Sequence, residues 1–174
     1  FNVLSGAVGD DTLIGAGGPD ALYGDAGVDT ASYAGAPAGV VADLGAAARN
    51  TGHAAGDSSS GIENLRGSSF ADELVGDAGD NLLEGGAGGD RLIGGAGFDT
   101  AAYGQETEAV FADLADAAAN QGAAAGDVYS GIEALAGGSA GDALRGDAAA
   151  NRLDGAGGDD LLVGAGGADT LLGG

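Results

Sequence analysis

Gly85-Gly-Ala-Gly-Gly-Asp-Arg-Leu-Ile93 is followed without a break by Gly94-Gly-Ala-Gly-Phe-Asp-Thr-Ala-Ala102. Each nine-residue unit divides into a six-residue glycine-rich turn ending in aspartate and a three-residue piece with an apolar middle member. One inward apolar residue between two outward ones is the period-2 signature of a short strand. A helix is disfavoured, because each interior glycine costs roughly 1 kcal/mol against alanine.

Working outward, eleven such units can be read in register, in blocks 1–32, 67–102 and 137–174. The middle position holds Leu4, Leu13, Leu22, Leu74, Leu83, Leu92, Leu144, Leu153, Leu162 and Leu171, with Ala31 and Ala101 where blocks close. A longer period overlies the first: residues 29–100 map onto 99–170, so the interruptions 33–66 and 103–136 are equivalent units. Self-similarity at a fixed short period is the mark of a solenoid. The pattern predicts an all-β fold across residues 1–174, a right-handed two-sheet parallel β-roll with two units per coil of 18 residues. Counting along the chain suggests about nine or ten coils stacked at the ~4.8 Å strand spacing.

The 174 residues carry 39 glycines, 27 acidic and only five basic side chains, a formal net charge of −22. A chain this acidic repels itself unless something positive neutralises it. Nucleic acid is not an expected partner, because a phosphate backbone requires a basic surface. No apolar run is long enough to span a bilayer, so membrane insertion is not expected either. There is no cysteine and one histidine, which disfavours disulfides and zinc.

The missing positive charge is suggested by the sixth position of the units: Asp11, Asp20, Asp29, Asp72, Asn81, Asp90, Asp99, Asp142, Asn151, Asp160 and Asp169, preceded by Asn2. In an 18-residue coil these oxygens stack in vertical pairs such as Asp11 with Asp29. Stacked carboxylates ~5 Å apart repel unless a cation lies between them. Ca²⁺ suits such a site, since it takes six to eight oxygens with backbone carbonyls among them, whereas Mg²⁺ holds its waters in a tight octahedron. The candidate glycine contributors are Gly6, Gly9, Gly15, Gly18, Gly24, Gly27, Gly85, Gly86, Gly88, Gly94, Gly95, Gly97, Gly155, Gly158, Gly164 and Gly167. About five to eight ions are expected per chain. Glu63 and Glu133 also fall in the sixth-position register, 18 residues before Asn81 and Asn151. Each is read either as a ligand that compensates for the neutral asparagine or as a hydrogen-bonding partner of turn amides.

These units follow the pattern G-G-x-G-x-D-x-U-x, where U is a large apolar residue, and the chain resembles the RTX (repeats-in-toxin) family of calcium-binding nonapeptide repeats throughout its length. The interruptions, with D-T-A-x-Y, V-x-A-D-L and G-D-x-x-S-G-I-E-x-L, also resemble segments between RTX blocks. The resemblance implies export in unfolded form through type I secretion machinery, extracellular or cell-surface folding on calcium, and covalent attachment to a larger secreted bacterial protein. It further implies a non-catalytic folding and stabilising role. The alternative is a polysaccharide-binding, adhesive or surface-layer module, for which Tyr23, Tyr33 and Tyr103 offer an aromatic platform; Tyr33 and Tyr103 also read as packing caps. Asp43, Asp57, Asp113 and Asp127 lie outside the register and read as solvated loop acids. No nucleophile, metalloprotease or phosphate-loop motif is present, so an enzyme is not expected.

Overall fold

The computed structural model describes residues 1–174 as eighteen short parallel strands joined by turns. The first block supplies β1 (Val3–Ser5), β2 (Thr12–Leu13), β3 (Ala21–Tyr23) and β4 (Thr30–Ser32). The first interruption adds β5 (Val41–Asp43) and β6 (Ser58–Ser60), with β7 (Asn64–Arg66) at its end. The second block continues with β8 (Glu73–Val75), β9 (Leu82–Glu84), β10 (Arg91–Ile93) and β11 (Thr100–Ala102). The second interruption adds β12 (Phe111–Asp113), β13 (Val128–Ser130) and β14 (Ala134–Ala136). The third block ends with β15 (Ala143–Arg145), β16 (Arg152–Asp154), β17 (Leu161–Val163) and β18 (Thr170–Leu172). Helix is limited to three-residue 3-10 turns at Ala47–Arg49, Gly52–Ala54, Ala117–Ala119 and Gly122–Ala124.

All strand pairs are parallel, and within blocks the partners lie 18 residues apart, as in Leu4 with Leu22 and Leu74 with Leu92. The two faces of the roll differ. One is a continuous eight-stranded sheet in the order β2-β4-β7-β9-β11-β14-β16-β18. The other is split into β1-β3-β6, β5-β8-β10-β13 and β12-β15-β17. Each break falls at an interruption, where two strands share an interval that one would fill in an unbroken array. The continuous sheet therefore counts eight coils, fewer than the nine or ten expected. Each interruption spends 34 residues on a single rung of that face, and the surplus goes into the extra strand and the 3-10 turns.

The inward positions form the core. Leu22, Leu65, Leu74, Leu83, Leu92, Leu135, Leu144 and Leu153 are all at most 1% exposed, with Ala31, Ala42, Ala101 and Ala112 filling the narrower places. Outward positions carry the charges: Arg49 bridges Asp43 and Glu73, and Arg91 also meets Glu73. The other three arginines pair with Glu84, Asp113 and Asp154, so no arginine belongs to a basic patch. No helix is long and apolar enough to cross a membrane.

Candidate metal centres

The sixth-position side chains stack along the two edges as the 18-residue period requires. In each pair the backbone N–H of the lower residue donates to one oxygen of the side chain above. Asp11 donates to Asp29 Oδ1 at 2.8 Å, Asp72 to Asp90 Oδ1 at 2.9 Å and Asn81 to Asp99 Oδ1 at 2.8 Å. Asn2, Asp142 and Asn151 do the same towards Asp20, Asp160 and Asp169. One carboxylate oxygen is thereby fixed, and the other is aimed into the turn.

What that second oxygen meets divides the turns into two kinds. Asp11, Asp20, Asp29, Asp90, Asp99 and Asp160 each bury an Oδ2 with no hydrogen-bond partner. Buried polar atoms in folded proteins are nearly always partnered, so six orphan carboxylate oxygens in one register mark places for a cation. By contrast, Asp72 Oδ2 accepts from the Ser68 N–H at 2.6 Å, and Asp142 Oδ2 from the Gly138 N–H at 2.6 Å. Asn81 and Asn151 use Oδ1 in the same way, on the N–H groups of Asp77 and Asp147. These four turns are closed by their own sixth residue.

The backbone follows the same division. Turns 6–11, 15–20, 24–29, 85–90, 94–99, 155–160 and 164–169 hold their second and fourth residues in the left-handed region, and the four closed turns hold neither there. The fourth residue is glycine in all seven, and it is Phe70, Ala140 or Ala149 in three of the four closed turns. At Gly88, with φ of 134°, a side chain would be strained and would also lie 2.7 Å from the Phe70 carbonyl carbon. Ala7, Ala16, Asp25, Ala156 and Ala165 accept positive φ at the second position despite the cost of roughly 1–2 kcal/mol for a residue with a Cβ.

In most turns the first glycine faces a cradle of a sixth-position side chain and a carbonyl of the next coil. A methyl group on Gly6 would lie 2.8 Å from Asp11 Oδ2 and 2.9 Å from the Gly24 carbonyl oxygen one coil up. Carbonyls of Gly61, Gly94, Gly131, Gly155 and Gly164 occupy the corresponding place before Gly24, Gly76, Gly94, Gly137 and Gly146. No three acidic or histidine side chains converge anywhere, so an ion here must take much of its shell from such carbonyls. A hard cation with six to eight flexible oxygen ligands suits this donor set.

Several acids differ from expectation. Asp43, Asp57, Asp113 and Asp127 are buried rather than solvated, at 5%, 2%, 1% and 1% exposure. Asp57 accepts from the Asp20 N–H at 2.8 Å and from Tyr33 Oη at 3.1 Å. Asp127 does the same with the Asp90 N–H at 2.8 Å and Tyr103 Oη at 2.7 Å. The tyrosines thus close these columns with a hydroxyl, and burial with the adjoining acids raises both phenols well above their ordinary pKa. Asp43 and Asp113 accept from the N–H groups that open the 3-10 segments. Glu63 and Glu133 point down, accepting from the N–H groups of Asp29 and Asp99, while Asn81 and Asn151 donate Nδ2 to the glutamates' backbone carbonyls. The glutamate carboxylates therefore bond turn amides, one of the two readings of the sequence, and lie on the side away from Asn81 and Asn151. His53 lies against Gly17, and no hydrogen bond ties its ring to an acid.

Burial without a counter-charge raises the carboxyl of Asp90 from 3.8 to about 7, the neighbouring Asp127 and Asp72 charges adding to the effect. Asp99 moves upward for the same first reason. At Asp90 and Asp99 burial thus disfavours the charged form of the carboxyl.

Fold and turns together define a calcium-binding parallel β-roll. The RTX calcium-binding nonapeptide repeat model matches in four copies over residues 1–31, 60–101 and 136–171. These matches cover more than half of the chain, which belongs to that family. A search of curated proteins gives no match.

Proposed function

We propose that residues 1–174 act as one domain that folds when Ca²⁺ enters its open turns, serving as a non-catalytic scaffold of a larger extracellular protein. The observation that carries this is the set of six buried, unpartnered Oδ2 atoms. Leaving an ionised carboxylate buried costs several kcal/mol even after relaxation. A divalent ion supplies positive charge shared between a turn carboxylate and surrounding carbonyls. The ligand set is Asp11, Asp20, Asp29, Asp90, Asp99 and Asp160, with Asp169 in the last open turn and the glycine carbonyls beside them. Asn81, Asn151, Asp72 and Asp142 are left out, because their side-chain oxygens are committed to their own turns. Six or seven ions follow, within the five to eight expected from the repeat.

Acidic surface and calcium-dependent folding suit export as an open chain and assembly outside the cell, which is typical of bacterial proteins with RTX repeats. The carbohydrate-platform reading is weaker: Tyr33 and Tyr103 are 6% and 3% exposed, and of the three tyrosines only Tyr23 is open. Circular dichroism in EDTA and then in millimolar CaCl₂ tests the proposal. The expected result is an open chain that becomes β-structured cooperatively on calcium addition. A β spectrum already complete in EDTA at neutral pH would overturn it.

A further inference from the structure

The two edges of the roll meet the interruptions differently. On the edge leading into the split face, the carboxylates of Asp57 and Asp127 are spent on a backbone N–H and a tyrosine hydroxyl. The three atoms nearest a methyl group on Gly15 or Gly85 all belong to the side chain of that turn's own aspartate, Asp20 or Asp90. On the edge leading into the continuous sheet, the calcium cradle is rebuilt from residues outside the nine-residue units.

We propose that Glu63 and Glu133 each complete a calcium site at a junction between block and interruption, sites to which the repeat supplies only the lower half. This rests on the calcium reading above. Asp29 and Asp99, at 0% and 1% exposure, each present an unpartnered Oδ2. The carbonyl oxygens of Gly61 and Gly131 fill the space in front of Gly24 and Gly94, where Gly24 serves Gly6 inside a block. Glu63 Oε2 accepts from the Asp29 N–H at 2.8 Å and Glu133 Oε2 from the Asp99 N–H at 2.9 Å. That is the contact Asp29 Oδ1 makes with the Asp11 N–H at 2.8 Å. Glutamate's extra methylene thus lets a segment without the repeat put a carboxylate where the next aspartate would stand.

The gap above each glutamate is closed without metal. Asn81 Nδ2 donates to the Glu63 carbonyl at 2.9 Å and Asn151 Nδ2 to the Glu133 carbonyl at 3.3 Å. A neutral amide donor faces the carbonyl, so the column carries an ion below each glutamate and a hydrogen bond above it. Each interruption is thereby fastened to the preceding block by calcium.

Native mass spectrometry of the whole chain at saturating Ca²⁺ counts the ions. Glu63→Gln and Glu133→Gln keep an acceptor for the aspartate N–H and remove only the charge. Each single variant is expected to bind one ion fewer than the native chain, and the double variant two fewer, with circular dichroism in calcium unchanged. Tyr33→Phe and Tyr103→Phe, which alter the opposite edge, are expected to keep the full count. Glutamine variants that bind as many ions as the native chain overturn the junction sites and leave the calcium reading standing. A native chain that takes up no calcium overturns both. Should the double variant fail to fold, the single variants decide by the same count.

Discussion

In turns 85–90 and 94–99 the fourth residues, Gly88 and Gly97, lie at φ of 134° and 124°, and the sixth residues leave Oδ2 free. In turn 67–72 the fourth residue is Phe70, the left-handed bend is absent, and Asp72 folds back on the Ser68 N–H. An aspartate thus leaves its Oδ2 free where the fourth residue bends left-handed, and caps its own turn where it does not. Asp99→Asn is therefore expected to lose one ion by calorimetric titration. Asp72→Asn should keep the count and cost about 1–3 kcal/mol of stability in calcium, because Asp72 accepts from both the Val40 and the Ser68 N–H and an amide can serve only one of them. This difference was legible in the sequence at Phe70, Ala140 and Ala149. Turn 76–81 is the exception, having Gly79 and yet closing, and there the neutral Asn81 is the signal. Asn81→Asp removes the Nδ2 donor and adds a buried charge, so it is expected to raise the calcium needed for half-folding, read by circular dichroism.

Strands and leucine ladders could be read from period and register, because each is set within nine or 18 residues. The interruptions could not, because their order comes from contacts such as Tyr33 with Asp57 and Tyr103 with Asp127, 24 residues apart in the chain. Nothing local marks those acids as buried, and the pair of strands that each interruption places in one interval is invisible to a coil count. Tyr103 also meets the Tyr129 hydroxyl at 2.5 Å, a contact with no counterpart at Tyr33, since Ser59 stands at the equivalent place. Removing the Tyr103 hydroxyl strands a buried acceptor on Asp127, at a cost of about 1–3 kcal/mol. Tyr103→Phe should lower the melting temperature of the calcium-loaded protein measurably while leaving its ion count unchanged.

Across the whole molecule, a charge of −22 and a thin core make folding, metal and protons one linked equilibrium. In the metal-free fold Asp90 holds its proton up to about 7, against an ordinary 3.8. Between those values the folded state binds more protons than the open chain, so metal-free stability falls as pH rises through that interval. Calcium needs the ionised carboxylate, so its affinity rises over the same range. A calcium titration followed by circular dichroism should accordingly show a lower folding midpoint at pH 8 than at pH 6. The free Oδ2 atoms, the closed turns and the plugged edges all bear on one proposal, that the turns with a free Oδ2 are the metal sites. The most direct test is an anomalous difference map from crystals grown in Ca²⁺. The account predicts peaks beside the Oδ2 atoms of Asp11, Asp20, Asp29, Asp90, Asp99 and Asp160, and none within turns 67–72, 76–81, 137–142 and 146–151. Open turns without peaks, or ions seated in the closed ones, would contradict it.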